Sequence, residues 1–299
     1  MFPVVIGLAG ALVYGSADFV GGMASKRISP IRVTAIGGVS GLIILFALLP
    51  FVGGEWSTKA VLLGALSGVS GSLAIVLLYA CLAIGPMSIL SPVTAVVSAI
   101  VPMLAGVVRG ERLHAIGYVA LLIALVAVVL VGFVPEKGAV RPSARALAMA
   151  VVSGALIGGF LIIVDLTPDD SGLVPLIANR AVSSVIMFAV VGVLILASRS
   201  RAGRERAPDA VGSPVGFLSR GWRSGIWLAA LGGAIDASAN AILLFGLRLG
   251  ELTIQSVLTA LYPAGTIILA AVLLRERIAP VQIVGLLLAL VAAALLALA

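Results

Sequence analysis

Hydrophobic residues along this chain fall in long, nearly unbroken runs separated by short polar or Pro/Gly punctuation. The runs lie near 4–22, 33–52, 60–82, 87–108, 115–134, 148–166, 175–197, 224–247, 252–274 and 280–298. A helix rising about 1.5 Å per residue crosses a hydrocarbon core of about 30 Å in about 20 apolar residues, so each run predicts one transmembrane helix. The polar/apolar alternation of a membrane β-barrel is missing. An all-α integral membrane protein with ten transmembrane helices is therefore expected. The first run has no basic residues ahead of it and is followed by Lys26 and Arg27, which predicts a retained helix and not a cleaved signal peptide.

Composition reaches the same exclusion independently. Of 299 residues, 62% are hydrophobic and 10% charged, whereas soluble domains carry about 45–50% and about 25%. There is too little polar surface to cover a globule in water. The 35 glycines suit helices packed closely in lipid. A single cysteine, Cys81, forms no intramolecular disulfide, and a single histidine, His114, cannot build a zinc site, so no metal and no cofactor are expected. The net charge of +7 comes without aromatic residues interleaved for base stacking, so the expected partner is the lipid bilayer and no nucleic acid.

Charge also sets an orientation. Residues 198–223 hold Arg199, Arg201, Arg204, Arg206, Arg220 and Arg223 with the breakers Pro208, Gly212 and Pro214, which predicts a mobile, solvated, basic loop. With that loop, the connections after helices 1, 3, 5, 7 and 9 carry 14 Lys and Arg residues, against 5 on the opposite side. By the positive-inside tendency the 14-charge face is cytoplasmic and both termini lie outside.

The chain repeats itself. Shifted by 165 residues, Gly85–Arg112 aligns with Gly250–Arg277 without a gap, and 11 of 28 positions are identical. About three matches are expected from a composition this biased. The same shift carries Leu66-Ser67-Gly68 onto Leu231-Gly232-Gly233, and a shift of 144 carries Gly10-Ala11-Leu12 onto Gly154-Ala155-Leu156. Residues 1–134 and 135–299 are expected as two five-helix repeats. Five is odd, so the halves enter the membrane in opposite senses, as in transporters whose substrate site lies near the midplane between inverted repeats and whose access alternates by rocking.

The Gly-Ala-Leu opening of each half and the closing Gly110-Glu111-Arg112 and Arg275-Glu276-Arg277 resemble the drug/metabolite transporter superfamily, EamA type. Within it the chain is most similar to YddG-type bacterial amino acid exporters. The 198–223 loop departs from a minimal member. The resemblance implies a monomeric basket around a central cavity lined by helices 1, 3, 4, 6, 8 and 9, with helices 5 and 10 peripheral. It also implies a small-molecule substrate, namely amino acids including aromatic ones, exported across the bacterial inner membrane. Members are described with both termini inside; the charge count places them outside, and the count is followed.

Polar groups in a bilayer interior are costly unless paired or facing a cavity, so they mark candidate sites. Ser88, Ser91 and Thr94 on helix 4 correspond to Thr253, Ser256 and Thr259 on helix 9. Each triplet draws one stripe, which either lines a cavity or bonds the carbonyls of its own helix. Pro86, Pro92, Pro102 and Pro263 interrupt these two helices and serve as hinges or as static kinks. Asp236 sits at the centre of helix 8 with Asn240 one turn on, as the carboxylate expected nearest the midplane. It binds a substrate ammonium or cycles a proton; the alternative is a structural hydrogen bond to Asn240 or a serine. Asp18 and Asp165, near helix ends, are expected to be solvated or capping, and Arg180 to snorkel to the interface. Tyr14, Tyr79 and Tyr262, with Phe160 and Phe245, are rings for a cavity wall, a packed core or an interfacial belt.

A secondary transporter that exports amino acids is the leading expectation. No Gly-x-x-x-x-Gly-Lys-Ser/Thr loop occurs, so a gradient must drive it. A broad exporter of drugs or lipophilic cations is the alternative, with Asp236 as the counter-charge. An intramembrane enzyme would need clustered nucleophiles, bases or metal ligands that this composition does not supply, so no enzymatic activity is expected.

Overall fold

The computed structural model describes residues 2–84, 87–132, 142–202, 225–275 and 278–298. Within them there are no strands, and ten spans are long and apolar enough to cross a membrane. They are α1 (Phe2–Ser25), α2 (Pro30–Val52), α3 (Thr58–Ile84), α4 (Met87–Val108), α5 (Ala115–Gly132), α6 (Ala144–Asp165), α7 (Val174–Ala202), α8 (Ile226–Leu249), the interrupted pair α9a (Leu252–Thr259) and α9b (Tyr262–Leu273), and α10 (Pro280–Leu298). Ser29, Ser57 and Ser143 start α2, α3 and α6 by accepting hydrogen bonds from the N–H groups of Arg32, Ala60 and Ala146 at 3.4, 3.1 and 3.2 Å. Each fills one donor that a helix start leaves open.

Three boundaries differ from the sequence pattern. Helix α7 continues to Ala202, so residues 198–202, expected to begin the basic loop, are helical. Alanine and arginine favour helix, and the first glycine beyond them is Gly203. The remainder of that loop, like the repeat boundary expected at 134, lies outside the described residues. Asp169–Ser171 forms a short 3-10 turn ahead of α7. The run expected as one helix over 252–274 is two segments, because Pro263 has no N–H to offer the Thr259 carbonyl and its ring crowds that carbonyl. Around the break, Leu261 and Ala264 donate to Leu258 and Leu261, three residues back, at 3.1 and 2.9 Å.

The ten spans pack by exchange between the halves. Helix α1 lies against α8, α9a and α9b, while α6 lies against α3 and α4; α2 pairs with α8, and α7 with α3. Under the 165-residue repeat these are the same contacts made twice, and α5 against α10 closes the set. Lipid offers helices no hydrophobic reason to associate, so close backbone approach carries the packing. A Cβ on Gly68 of α3 would sit 2.6 Å from the Asn179 carbonyl oxygen on α7, and one on its equivalent Gly233 of α8 would overlap the backbone of Gly37 on α2. The peripheral pair uses alanine instead: Ala120, Ala124 and Ala127 of α5 and Ala289, Ala292 and Ala293 of α10 are buried in one cluster. Leu122 and Leu290 on the far sides are 65% and 66% exposed, as lipid-facing residues must be.

Polar links tie helix ends together on the face that carries the termini, and two of them cross between the halves. Arg109, at the end of α4, pairs with Asp165 of α6 at 2.6 Å. Glu111 follows Gly110, whose φ of +100° turns the chain, and accepts from the N–H groups of Leu252 and Thr253 at 2.9 Å each. The glutamate of the Gly-Glu-Arg motif thus caps α9a and places a negative charge at its positive end. Glu251 stands beside it, and burial together with the Glu111 charge pushes its carboxyl above the ordinary 4.5. Arg248 ties α8 to the α6–α7 connection through the Thr167 carbonyl at 2.6 Å and the Asp169 carboxylate at 3.0 Å.

Candidate functional site

A cavity of about 350 Å³ lies between the halves, lined from α1, α2, α3, α4, α6, α7, α8 and both segments of α9. Neither α5 nor α10 reaches it among the described residues, in keeping with their expected peripheral place. Helices α7 and α2 are the unexpected contributors. Helix α7 presents Asn179, Arg180, Ser183 and Ser184, and α2 adds Thr34 and Gly38. Small residues on α2 make the room: a Cβ on Gly38 would meet the Ser184 hydroxyl at 2.7 Å, and one on Gly41 would meet Arg180 Nε at 3.6 Å. The Gly37, Gly38 and Gly41 pattern was the signal in the sequence that a polar helix face packs there.

Arg180 does not snorkel. It turns inward and forms an ion pair with Asp236, with its donating Nη2 on the aspartate Oδ2. Asn240 donates Nδ2 to the Asp236 carbonyl at 2.8 Å and to Oδ2 at 3.4 Å. The two charged side chains are 17% and 32% exposed, and the surface they expose lines the cavity. A lone charge inside a bilayer is far costlier than a bonded pair beside a polar cavity, which is why the guanidinium goes to the acid.

Asp236 is not the only carboxylate at the cavity. Asp18 lines the same cavity and accepts no hydrogen bond from the described residues. The apolar run had ended at residue 22, leaving Asp18 about one turn from the helix end; α1 in fact reaches Ser25, which places it about two turns in. Asp165, by contrast, holds its place at a helix end, paired with Arg109.

Of the tyrosines, Tyr14 and Tyr262 line the cavity; the Tyr79 side chain lies outside the described set. Phe160 joins the apolar wall with Ile75, Leu78 and Met187, whereas Phe245 is 54% exposed on the outside of α8. The two hydroxyl stripes divide. Ser256 and Thr259 line the cavity, with Ala260 at the break beside them. Ser91 and Thr94 do not: Thr94 donates to its own helix at Leu90, 3.0 Å, and to the Ala150 carbonyl of α6, 3.2 Å. Ser98 takes the lining position on α4 instead.

The prolines divide likewise. Pro86 lies outside the described residues. Helix α4 passes through Pro92 and Pro102 without interruption, and these rings meet Gly132 of α5 and Gly158 of α6. Only Pro263, among the described positions, coincides with a break. Many other polar groups are consumed in packing: Ser70 donates to Leu156 at 2.7 Å, Ser153 to Ala74 at 2.8 Å, Asn179 to Ser67 at 2.8 Å and Thr266 to Gly15 at 3.0 Å. The Ser184 hydroxyl is buried at the cavity with no hydrogen-bond partner among the described residues.

What the arrangement can do follows from these positions. Among the described residues the cavity offers one cation, two carboxylates, tyrosine and serine hydroxyls, and an apolar wall. At the α9 break two half-helices meet, bringing the partly positive start of α9b and unbonded carbonyl character at Thr259 to the same place. Among the described residues no group of three or more His, Cys, Asp or Glu side chains is arranged to hold a metal ion.

The model of the EamA-like transporter family matches residues 1–133 and again residues 144–298. A crystal structure of another protein is similar over 99% of this chain and 96% of its own, with a TM-score of 0.69 at 15% identity, a likeness of fold. No curated protein matches.

Proposed function

This chain belongs to the EamA-like transporter family and is a multi-pass membrane transporter of small molecules; from that premise we propose that it exports amino acids, aromatic and other neutral ones included, across the bacterial inner membrane by alternating access. One observation carries the reading: the transmembrane run of α9 is interrupted at a cavity that holds both signs of charge. A zwitterion needs both. Its carboxylate meets Arg180, the Ser256 and Thr259 hydroxyls and the start of α9b, while its ammonium meets the carboxylate side of the cavity. Tyr14, Tyr262 and Phe160 supply the surface on which an aromatic or aliphatic side chain rests. A volume of about 350 Å³ suits a ligand of this size, at the small end of the usual range.

Residues 1–134 and 135–299 act as the two rocking halves, with the 14-charge face cytoplasmic and the chain working as a monomer. Pro263 is the bending point; Pro92 and Pro102 shape α4. A second reading has its own support. Two carboxylates against one guanidinium favour a net cation, so an exporter of lipophilic cations fits the charge count. Counterflow in proteoliposomes separates the two. Radiolabelled phenylalanine and threonine are expected to exchange saturably, and Asp236→Asn, which leaves Arg180 without its partner, is expected to reduce that exchange at least tenfold. Exchange of tetraphenylphosphonium with none of phenylalanine, threonine or lysine would move the assignment to the cation exporter.

A further inference from the structure

We propose that the Arg180–Asp236 ion pair is a charge filter, in which each side chain holds the place of one substrate charge while the cavity is empty. Only a ligand that brings an ammonium and a carboxylate together on one carbon takes both places. The inference rests on the transport reading above and deepens it by naming the chemical feature that decides what the site accepts.

Arg180 reaches into the cavity from α7 and Asp236 from α8, two helices that both lie against α2. Gly41 of α2 leaves the guanidinium its place, since a Cβ there would already stand 3.6 Å from Nε. The paired side chains keep 17% and 32% of their surface exposed, so a ligand in the cavity can reach either one. Asp236 has a neutral neighbour in Asn240, whose amide donates to Oδ2 at 3.4 Å. A guanidinium carries five N–H donors in a planar fork, so a ligand carboxylate can replace the aspartate on it with the same geometry.

Selection follows from what a ligand leaves behind. Opening the pair within a membrane uncovers two charges, and a ligand with one charge can satisfy only one of them. A carboxylate alone on Arg180 would leave Asp236 facing only the neutral Asn240 amide in place of its cation. An amine alone on Asp236 would strand the guanidinium. A zwitterion replaces both partners at once: one ion pair becomes two, and the net charge of the site does not change. Because the two side chains are in contact, the ligand's charges must stand close together, as they do when both groups share a carbon. A ligand held at both ends also becomes the tie between α7 and α8. Asp18 lies outside this exchange, since a cation that met only Asp18 would leave the pair closed.

The test measures direct binding of three radiolabelled ligands of one skeleton to the purified protein in detergent: phenylalanine, phenethylamine, which lacks the carboxylate, and 3-phenylpropionate, which lacks the ammonium. Phenylalanine counterflow in proteoliposomes runs beside it. Wild-type protein is expected to bind phenylalanine more than about tenfold tighter than either analogue. Asp236→Asn should weaken phenylalanine yet tighten 3-phenylpropionate about tenfold, and Arg180→Gln should weaken phenylalanine yet tighten phenethylamine by about the same factor. An analogue affinity that its variant does not raise overturns the inference, and so does wild-type protein that binds phenylalanine and phenethylamine equally; with phenylalanine counterflow intact, the transport reading stands in both cases. Absence of phenylalanine counterflow by folded wild-type protein sinks that reading and the inference with it. Should the single variants not fold, Arg180→Gln combined with Asp236→Asn decides, because it leaves neither charge unpaired. The three ligands are then expected to bind about equally, and a retained preference for phenylalanine overturns the filter.

Discussion

Helices α4 and α9 are copies of one sequence, yet they do different work. Both carry hydroxyls at three duplicated positions, and both begin after a conserved glycine of the repeat, Gly85 or Gly250. In α9 Thr259 lines the cavity, while the Ser256 hydroxyl, one turn earlier, donates to the Thr253 carbonyl at 3.0 Å. In α4 the equivalent Thr94 is 3% exposed and spends its hydroxyl on the backbone of α6. The difference traces to one position. Residue 263 is proline, and its counterpart 98 is serine. Serine keeps the ladder of α4 intact and donates to Ala95 at 2.8 Å, whereas proline at 263 ends α9a four residues earlier. The packing frame is shared by the two copies, as Gly68 and Gly233 show, while Thr259 of one copy lines the cavity and Thr94 of the other is held in the helix packing.

The harshest way to break that comparison is to make α4 like α9. Ser98→Pro would strip the Thr94 carbonyl of its helical partner within a continuous helix, at a cost of about 3 kcal/mol. Thermal melting in detergent should register it as a large loss. The reverse change, Pro263→Ala, should mend α9. It is expected to raise the melting temperature while slowing counterflow about tenfold, and unchanged transport would show that the break is not the bending point.

A matched pair of smaller changes sharpens the contrast. Thr94→Val removes the one hydroxyl proton shared between the Leu90 and Ala150 carbonyls and should cost about 1 kcal/mol of stability with near-normal exchange. Thr259→Val should do the opposite, leaving melting unchanged and raising the half-saturating concentration several-fold. The smallest effect is expected at the start of α9a. The Glu251 carboxyl is raised above 4.5 by burial and by Glu111, so the folded protein holds that proton more tightly than the unfolded chain. Its contribution is fully present below the ordinary value and is lost as pH rises through the raised one. Glu251→Gln should flatten that part of the pH dependence of melting.

Much of this molecule was legible in its sequence, for reasons that can be stated. Ten crossings follow from bilayer thickness, and the repeat from identities that composition does not supply. Asp236, Asn240, Tyr14 and Tyr262, which line the cavity, stood out because carboxylate, amide and phenol groups are rare in apolar helices. The partnership of Arg180 with Asp236 was hidden, because the residues are 56 apart and on different helices, and hydropathy reports depth without direction. Asp18 was expected to be solvated near a helix end; it is exposed, and α1 runs three residues past the apolar stretch, because polar residues at a helix end shorten the run that hydropathy reports. Thr94 and Thr259 were indistinguishable, since each lies on a polar stripe and only the neighbour on the other side decides whether that position meets a backbone or a cavity.

The most direct test of the account is cysteine protection at the two equivalent positions. With Cys81 replaced by serine to remove background, Thr259→Cys and Thr94→Cys would be labelled by a small cationic thiol reagent in membranes, with and without saturating phenylalanine. The account expects rapid labelling at 259 that phenylalanine slows, and no labelling at 94. Equal labelling of both positions, or protection at 94 and none at 259, would contradict it.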